Sequence, residues 1–191
     1  VVDGATTALL FLKEKAGIQK GQNVLINGAS GSIGTFAVQF AKYFGAHVTG
    51  VCSAKNIEMV KSLGADKVVD YAEEDFTRAV DTYDIIFDTV GKSSFEQCRN
   101  ALKANGKYVT TVMTLKVIIQ SLLTKHGNKK KVIFAMSLNK TEALNYIRTL
   151  MEEGKLKTII DRQYLLEELR EALAYVEEGH KQGNVVINVT H

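Results

Sequence analysis

The sequence predicts an α/β protein: a doubly wound, six-stranded parallel sheet in the order 3-2-1-4-5-6, followed by a C-terminal strand-helix-strand appendage. Three observations predict it. Short runs rich in Val and Ile alternate with segments whose apolar residues recur at helical spacing, as in a sheet covered on both faces. A glycine-rich turn, NGASGSIG, joins the first such strand to the first such helix. The chain is also large and apolar enough, at 191 residues and 46% hydrophobic, for one full core and part of a second.

The elements run in order along the chain. Residues 23–26 read as a strand and 32–44 as a helix with Ile33, Phe36, Ala37, Phe40 and Phe44 on one face. Gly45 ends that helix, where positive φ is wanted. Residues 47–51 form the second strand, 56–63 a helix closed by Gly64, and 67–69 a short third strand. The beat repeats with a short helix at 74–80, a strand at 84–87, a helix at 93–102 and a strand at 107–111. A helix at 115–124, a strand at 132–135 and a helix at 141–151 complete it, the last with Ala143, Leu144, Ile147 and Leu150 inward. After Gly154 the pattern changes to a strand at 158–160, a helix at 165–178 and a strand at 184–189. Glycine and charge around 152–157 divide a unit of residues 1–155 from a tail of residues 156–191. Right-handed crossovers place ligands at the carboxyl ends of the strands.

The glycine turn carries the functional expectation. A first βα turn can bring bare backbone against a pyrophosphate only where no β-carbon intervenes. The helix beyond it aims unpaired amides and its positive dipole end at the anion. Gly31 and Gly34 hold the spacing of the second and third glycines of GxGxxG; Ala29 replaces the first, and Gly28 gives an alternative framing. Ser30 and Ser32 add hydroxyl donors. A preceding strand and a succeeding amphipathic helix make this a dinucleotide turn rather than a purely structural one. The absence of a GK[ST] ending excludes a kinase-type phosphate loop.

The choice of dinucleotide rests on the end of the second strand. A cofactor without a 2′-phosphate is usually held by an acid about 20 residues beyond the glycines. No Asp or Glu occurs from Gly31 to Ile57, and the second strand runs on into Ser53 and Lys55. A hydroxyl and an ammonium favour a 2′-phosphate. NADPH is therefore expected over NADH, with Ser53 and Lys55 as contacts; the competing reading of Lys55 is an exposed lysine at a helix start.

Other chemistries find little support. A net charge of +3, spread evenly, does not call for a nucleic-acid partner, and the single basic run, Lys129 to Lys131, reads as a solvated loop. Cys52 and Cys98 stand apart without a CxxC, so a reducing cytoplasm is the expected setting. No apolar run approaches the roughly 20 residues that cross a bilayer. His47, His126, His180 and His191 are scattered, and no metal-ligand spacing is present. Ser30 lacks the flanking glycines of a nucleophile elbow.

The runs VLINGASGSIGTFAVQFAKYFGAHVTGVCS, LGADKVVDY, YDIIFDTVG and ALKANGKYV, with the tail IIDRQYLLEELREALAYVEEGHKQGNVVI, resemble the medium-chain dehydrogenase/reductases. Gln39 and Lys42 narrow the resemblance to the zinc-independent quinone oxidoreductase branch. Lys20-Gly21, where relatives often carry Pro-Gly, is the clear local departure. The resemblance implies a Rossmann cofactor domain in which Gly31, Ser32 and Ile33 meet the pyrophosphate. Ser53, Lys55 and Tyr71 would surround the 2′-phosphate, and Val90 and Val112 would lie toward the nicotinamide. Tyr71 has a competing reading as surface packing beside Asp70, and Asp88 reads as a strand-end or capping residue rather than an acid. The resemblance also implies a GroES-like catalytic domain ahead of Val1, onto which residues 156–191 would pack. The whole protein would then pass hydride from NADPH to a quinone, enone or similar carbonyl, while this chain alone turns over nothing. The resemblance leaves the oligomeric state open and makes the sheet edge at Val132 to Ala135 the candidate seam of a homodimer. The alternatives are a zinc-type alcohol dehydrogenase relative, a dinucleotide-reading regulatory module, and an enoyl-reductase domain of a larger synthase.

Overall fold

A computed structural model of the chain describes residues 2–124, 130–134, 141–179 and 181–189. Strands β1 (Asn23–Asn27), β2 (His47–Cys52), β3 (Lys67–Asp70), β4 (Tyr83–Asp88), β5 (Leu102–Thr110) and β6 (Lys131–Ile133) form one sheet in the order β3-β2-β1-β4-β5-β6. Every pairing in it is parallel. This is the expected Rossmann sheet. Ala135, the last residue of the expected edge strand, lies outside the described residues.

Side-chain alternation explains why these strands are apolar throughout. Val24 and Ile26 of β1, Ile85 and Phe87 of β4 and Val109 of β5 enter one core, while Leu25, Ile86 and Tyr108 enter the other. Both faces are therefore dry, as parallel sheets require. The first core is covered by α1 (Val2–Leu9), its π-helical continuation Leu10–Lys15, α2 (Ser32–Tyr43), α3 (Ile57–Ser62) and α6 (Thr141–Glu152). The second is covered by α4 (Phe95–Cys98) and α5 (Leu115–Thr124). A separate two-stranded parallel sheet of β7 (Ile160–Leu165) and β8 (Asn184–Asn188) is joined by α7 (Leu169–Glu177).

Several elements differ from their sequence-based bounds. The helix expected at 93–102 is only α4. Its start is fixed by a capping box between Ser94 and Gln97. Its continuation is lost because the carbonyls of Asn100 and Ala101 accept from Asp81, Thr82 and Tyr83, drawing Leu102 into β5 opposite Tyr83. The helix expected at 74–80 is one 3-10 turn, Phe76–Arg78, capped by Asp75 through the Thr77 N–H. The strand expected at 158–160 begins only at Ile160 and runs to Leu165. Its residues, IDRQYL, are mostly polar, which hides it from an apolar-run reading. The helix α1, in which the resemblance places a Thr-Ala entry at Thr7-Ala8, precedes the strand-helix alternation and buries Ala5, Ala8 and Leu9 at helical spacing, with Leu12 continuing the stripe.

Candidate functional site

The chain leaves β1 toward β2 and β3, but leaves β4 toward β5 and β6, so a crevice opens at their carboxyl ends. A cleft of about 800 Å³ occupies it. Gly28, Ser30 and Gly31 line it from the glycine turn, Ser53, Lys55 and Asn56 from beyond β2, Tyr71 from beyond β3, and Val90 from beyond β4. Ser32, Ile33, Gly34 and Val112 do not line it.

The turn is built by backbone. Gly28 takes φ +82° and, with Ala29, donates its N–H to the Val51 carbonyl, at 3.1 and 2.9 Å. A β-carbon on Gly28 would fall 2.5 Å from Val90 Cγ1, so Val90 sits directly against the turn. Gly31 caps α2, and the first intrahelical bond runs from Thr35 N to Gly31 O at 2.9 Å. The N–H groups of Ser32, Ile33 and Gly34 precede that bond and form the anion-attracting end of the helix. Gly34 serves packing: a β-carbon there would collide with the Gly28 carbonyl oxygen. Ile33 turns its side chain into the core. Val112 packs on Gly91, whose added β-carbon would meet Val112 Cγ2 at 2.5 Å.

At the other end of the cleft, Asn56 Nδ2 donates to Ser53 Oγ at 3.2 Å, while its buried Oδ1 has no hydrogen-bond partner among the described residues. Lys55 is exposed and makes no ion pair among the described residues. Tyr71 is 62% exposed. The structure also brings Glu74, Asp75 and Glu178 to the cleft, residues that no sequence pattern associates with it. Glu74 is paired with Lys67 at 3.0 Å, and Asp75 accepts from Thr77 N and Oγ1. Cys52 lines the cleft as an inert thiol: burial, then the neighbouring Asp70, pushes it up to about 11.

Asp88 holds the wall beside Val90. Its Oδ1 accepts from Val90 N, Gly91 N and Asn27 Nδ2, and its Oδ2 from Ser93 N and Oγ and from the Tyr108 hydroxyl. A fully buried carboxylate with both oxygens so occupied shapes the turn after β4 rather than moving protons.

The tail reaches the same place. Lys181 lines the cleft, its ammonium donating to the Gly183 carbonyl at 2.8 Å; burial lowers its pKa, with Asp161 opposing. Gly183 N donates to Ser30 O at 2.8 Å, and Ser32 Oγ donates to Asn184 Oδ1 at 2.7 Å. The Ser32 hydroxyl, expected as a ligand donor, is thus engaged within the protein. Farther along α2, the Gln39 amide bonds both the N–H and the carbonyl of Lys157, at 2.8 and 3.0 Å. No local pattern announces Lys181 or Asn184; they meet the turn only through the fold.

The sequence profile of the zinc-binding dehydrogenases matches residues 63–187. The chloroplastic quinone oxidoreductase QR1 of Triphysaria versicolor is 35% identical over 179 residues, which cover 91% of this chain. The chain belongs to the medium-chain dehydrogenase/reductase superfamily. The quinone oxidoreductase structure from Coxiella burnetii overlays this medium-chain dehydrogenase/reductase chain with a TM-score of 0.87 at 32% identity, covering 98% of this chain and 59% of that one. A mouse mitochondrial NAD(P)H oxidoreductase is 34% identical over 89% of this chain. The chain spans about half the length of these relatives, 54% of the Triphysaria protein and 48% of the mouse one.

Among the described residues no group of three or more His, Cys, Asp or Glu could hold a metal ion; His126, His180 and His191 lie outside them. No helix among the described residues is long and apolar enough to cross a membrane.

Proposed function

We propose that this medium-chain dehydrogenase/reductase chain binds NADPH at the glycine turn and serves an oxidoreductase that reduces a quinone, enone or similar carbonyl. The observation that carries the reading is the cleft itself. The amide end of α2 lies at one side of it, and Lys55, which makes no ion pair among the described residues, lies with Ser53 at the other. The pyrophosphate lies against Ser30 and Gly31, which line the cleft, with the first amides of α2 directly behind them and Lys181 as a nearby cation. Ser53, Lys55 and Tyr71 surround the adenosine 2′-phosphate. Val90 faces the nicotinamide, backed by Gly28, and Val112 stands behind it on Gly91. The bound nicotinamide supplies the hydride; the protein holds its face and keeps water away with apolar side chains.

The relatives named NAD(P)H oxidoreductases leave the 2′-phosphate open, so the preference rests on Lys55. Titrating NADPH and NADH at one ionic strength tests it. NADPH is expected to bind about tenfold more tightly, as a charge-assisted contact would give, and Lys55→Ala to remove the difference. Equal affinities in the wild type would overturn the preference. The acceptor is tested in the whole protein, as acceptor-dependent NADPH oxidation across quinones and enones. Binding without turnover on any acceptor favours a regulatory dinucleotide reader.

A homodimer through β6, the edge strand of the sheet among the described residues, belongs to the same reading, because a sheet edge seldom stays bare. Light scattering at twice the 21.0 kDa chain mass supports it, and a strictly monomeric chain refutes it. A reducing, cytoplasmic setting fits two buried free thiols, although the Triphysaria and mouse relatives carry chloroplastic and mitochondrial names.

A further inference from the structure

Asn184 commits every polar group of its side chain. Its N–H and its Nδ2 both donate to the Ile159 carbonyl, at 2.9 and 3.1 Å, and its Oδ1 accepts the Ser32 hydroxyl at 2.7 Å. The residue is buried, with 8% exposure. Gly183, the residue before it, donates to the Ser30 carbonyl and forms a parallel bridge with Gly31. Its φ is +64°, and a β-carbon there would collide with the Ile159 carbonyl, so the backbone approaches as closely as glycine allows. On the opposite side Ser32 is confined by α1: a β-carbon on Gly4 would stand 2.5 Å from Ser32 Oγ. The hydroxyl is held between two distant parts of the chain. Neither Asn184 nor Ser32 lines the cleft. Whatever the pair does for a ligand, it does through the backbone of the turn.

We propose that Asn184 is a positioning residue for the glycine turn: with Gly183 it latches Ser32 and Ser30 so that the first amides of α2 are set for a pyrophosphate before one arrives. The proposal rests on the reading of the cleft as a dinucleotide site. Its physical content is preorganisation. A turn already fixed in its binding conformation does not lose that freedom again when the ligand docks. Removing the latch therefore weakens ligands that use the turn and spares ligands that use only the Ser53 and Lys55 end.

Calorimetric titration of the full chain with two ligands tests this. ADP-ribose carries a pyrophosphate, and 2′-AMP carries none and reaches only the Ser53 and Lys55 end. Asn184→Ala is expected to weaken ADP-ribose about three- to tenfold, the scale of one part-buried hydrogen bond, and to change 2′-AMP by less than about twofold. Ser32→Ala, which removes the other partner, is expected to match it. The double variant should be no weaker than either single one, because both break the same contact. Unchanged ADP-ribose binding in both single variants overturns the latch. So does equal weakening of both ligands, which marks a general loss of structure, or singles whose effects multiply. Should Asn184→Ala fail to fold, Ser32→Ala carries the comparison. Wild-type chain that binds neither ligand overturns the dinucleotide reading and the latch with it; wild-type binding with indifferent variants overturns the latch alone.

Discussion

Replacing Asp88 with Ala would strand the buried Asn27 amide and remove the acceptor that the N–H groups of Val90, Gly91 and Ser93 share on the partly exposed turn after β4. A buried donor left without an acceptor costs about 1–3 kcal/mol, so a loss of about that size is expected in urea unfolding. The glycines of the turn separate by a second pair of variants. Gly31→Ala introduces a β-carbon whose nearest neighbour, Gly28 O, is 3.5 Å away, an ordinary contact at φ −79°. It should leave stability within about 1 kcal/mol yet obstruct the phosphate cradle, weakening NADPH at least tenfold. Gly34→Ala drives a β-carbon into the Gly28 carbonyl and should cost about 1–3 kcal/mol or more, as overpacking does. The spacing of Gly31 and Gly34 was legible in the sequence. Their division of labour was not, because a pattern of glycines does not say which one faces a ligand and which a neighbouring backbone. Ser32 shows the same limit: a hydroxyl in a phosphate turn reads as a ligand donor until its partner 152 residues away is known.

Among the elements, those with continuous apolar strands or strong helical stripes are legible to within a residue or two. The α2 and α5 helices and strands β1, β2 and β4 fall in this group. The elements that sequence patterns misplace are those decided by tertiary hydrogen bonds, as at α4, or those with polar strands, as at β7. The junction of α2 and β2 offers an element-scale test. Asp66 accepts from the Lys42 ammonium at 2.8 Å and from Val48 N at 2.7 Å, tying the last turn of α2 to the start of β2. Burial opposes its charge, but the Lys42 and Val48 contacts prevail and hold its carboxyl below the ordinary range. A folded-state pKa below the unfolded value, about 3.9, means stability that is present above that value and lost as pH falls through the folded one. Asp66→Asn should therefore destabilise the chain at pH 7 by no more than about 1 kcal/mol, given its partial exposure. The gap between variant and wild type should close in acid, as thermal melts between about pH 7 and about pH 2.5 would show.

At the scale of the whole molecule, the parallel sheet was legible from the alternation of strands and helices, and its Rossmann order from the glycine turn and the family resemblance. The relation of the tail to the rest was not, since Gln39, Lys157, Gly183 and Asn184 carry no local signature of their meeting. A division at residues 155 and 156 marks a change of pattern, yet Leu156 is buried in the first core and Lys157 is clamped to α2. A ligand that binds only the folded chain stabilises it by about 2.7 kcal/mol at a hundred times its Kd. For a chain of this size that corresponds to a rise of roughly 5–10 °C in Tm, which NADPH should produce and adenosine alone should not. The contact between Ser32 and Asn184 also bears on how the protein is made. Chain closure over so long a separation belongs to the late events of folding. A nascent chain would have its β1 strand and glycine turn outside the ribosome well before residue 184 emerges. Most of the sheet can thus form during synthesis, while the finished shape of the turn waits until residue 184 has emerged.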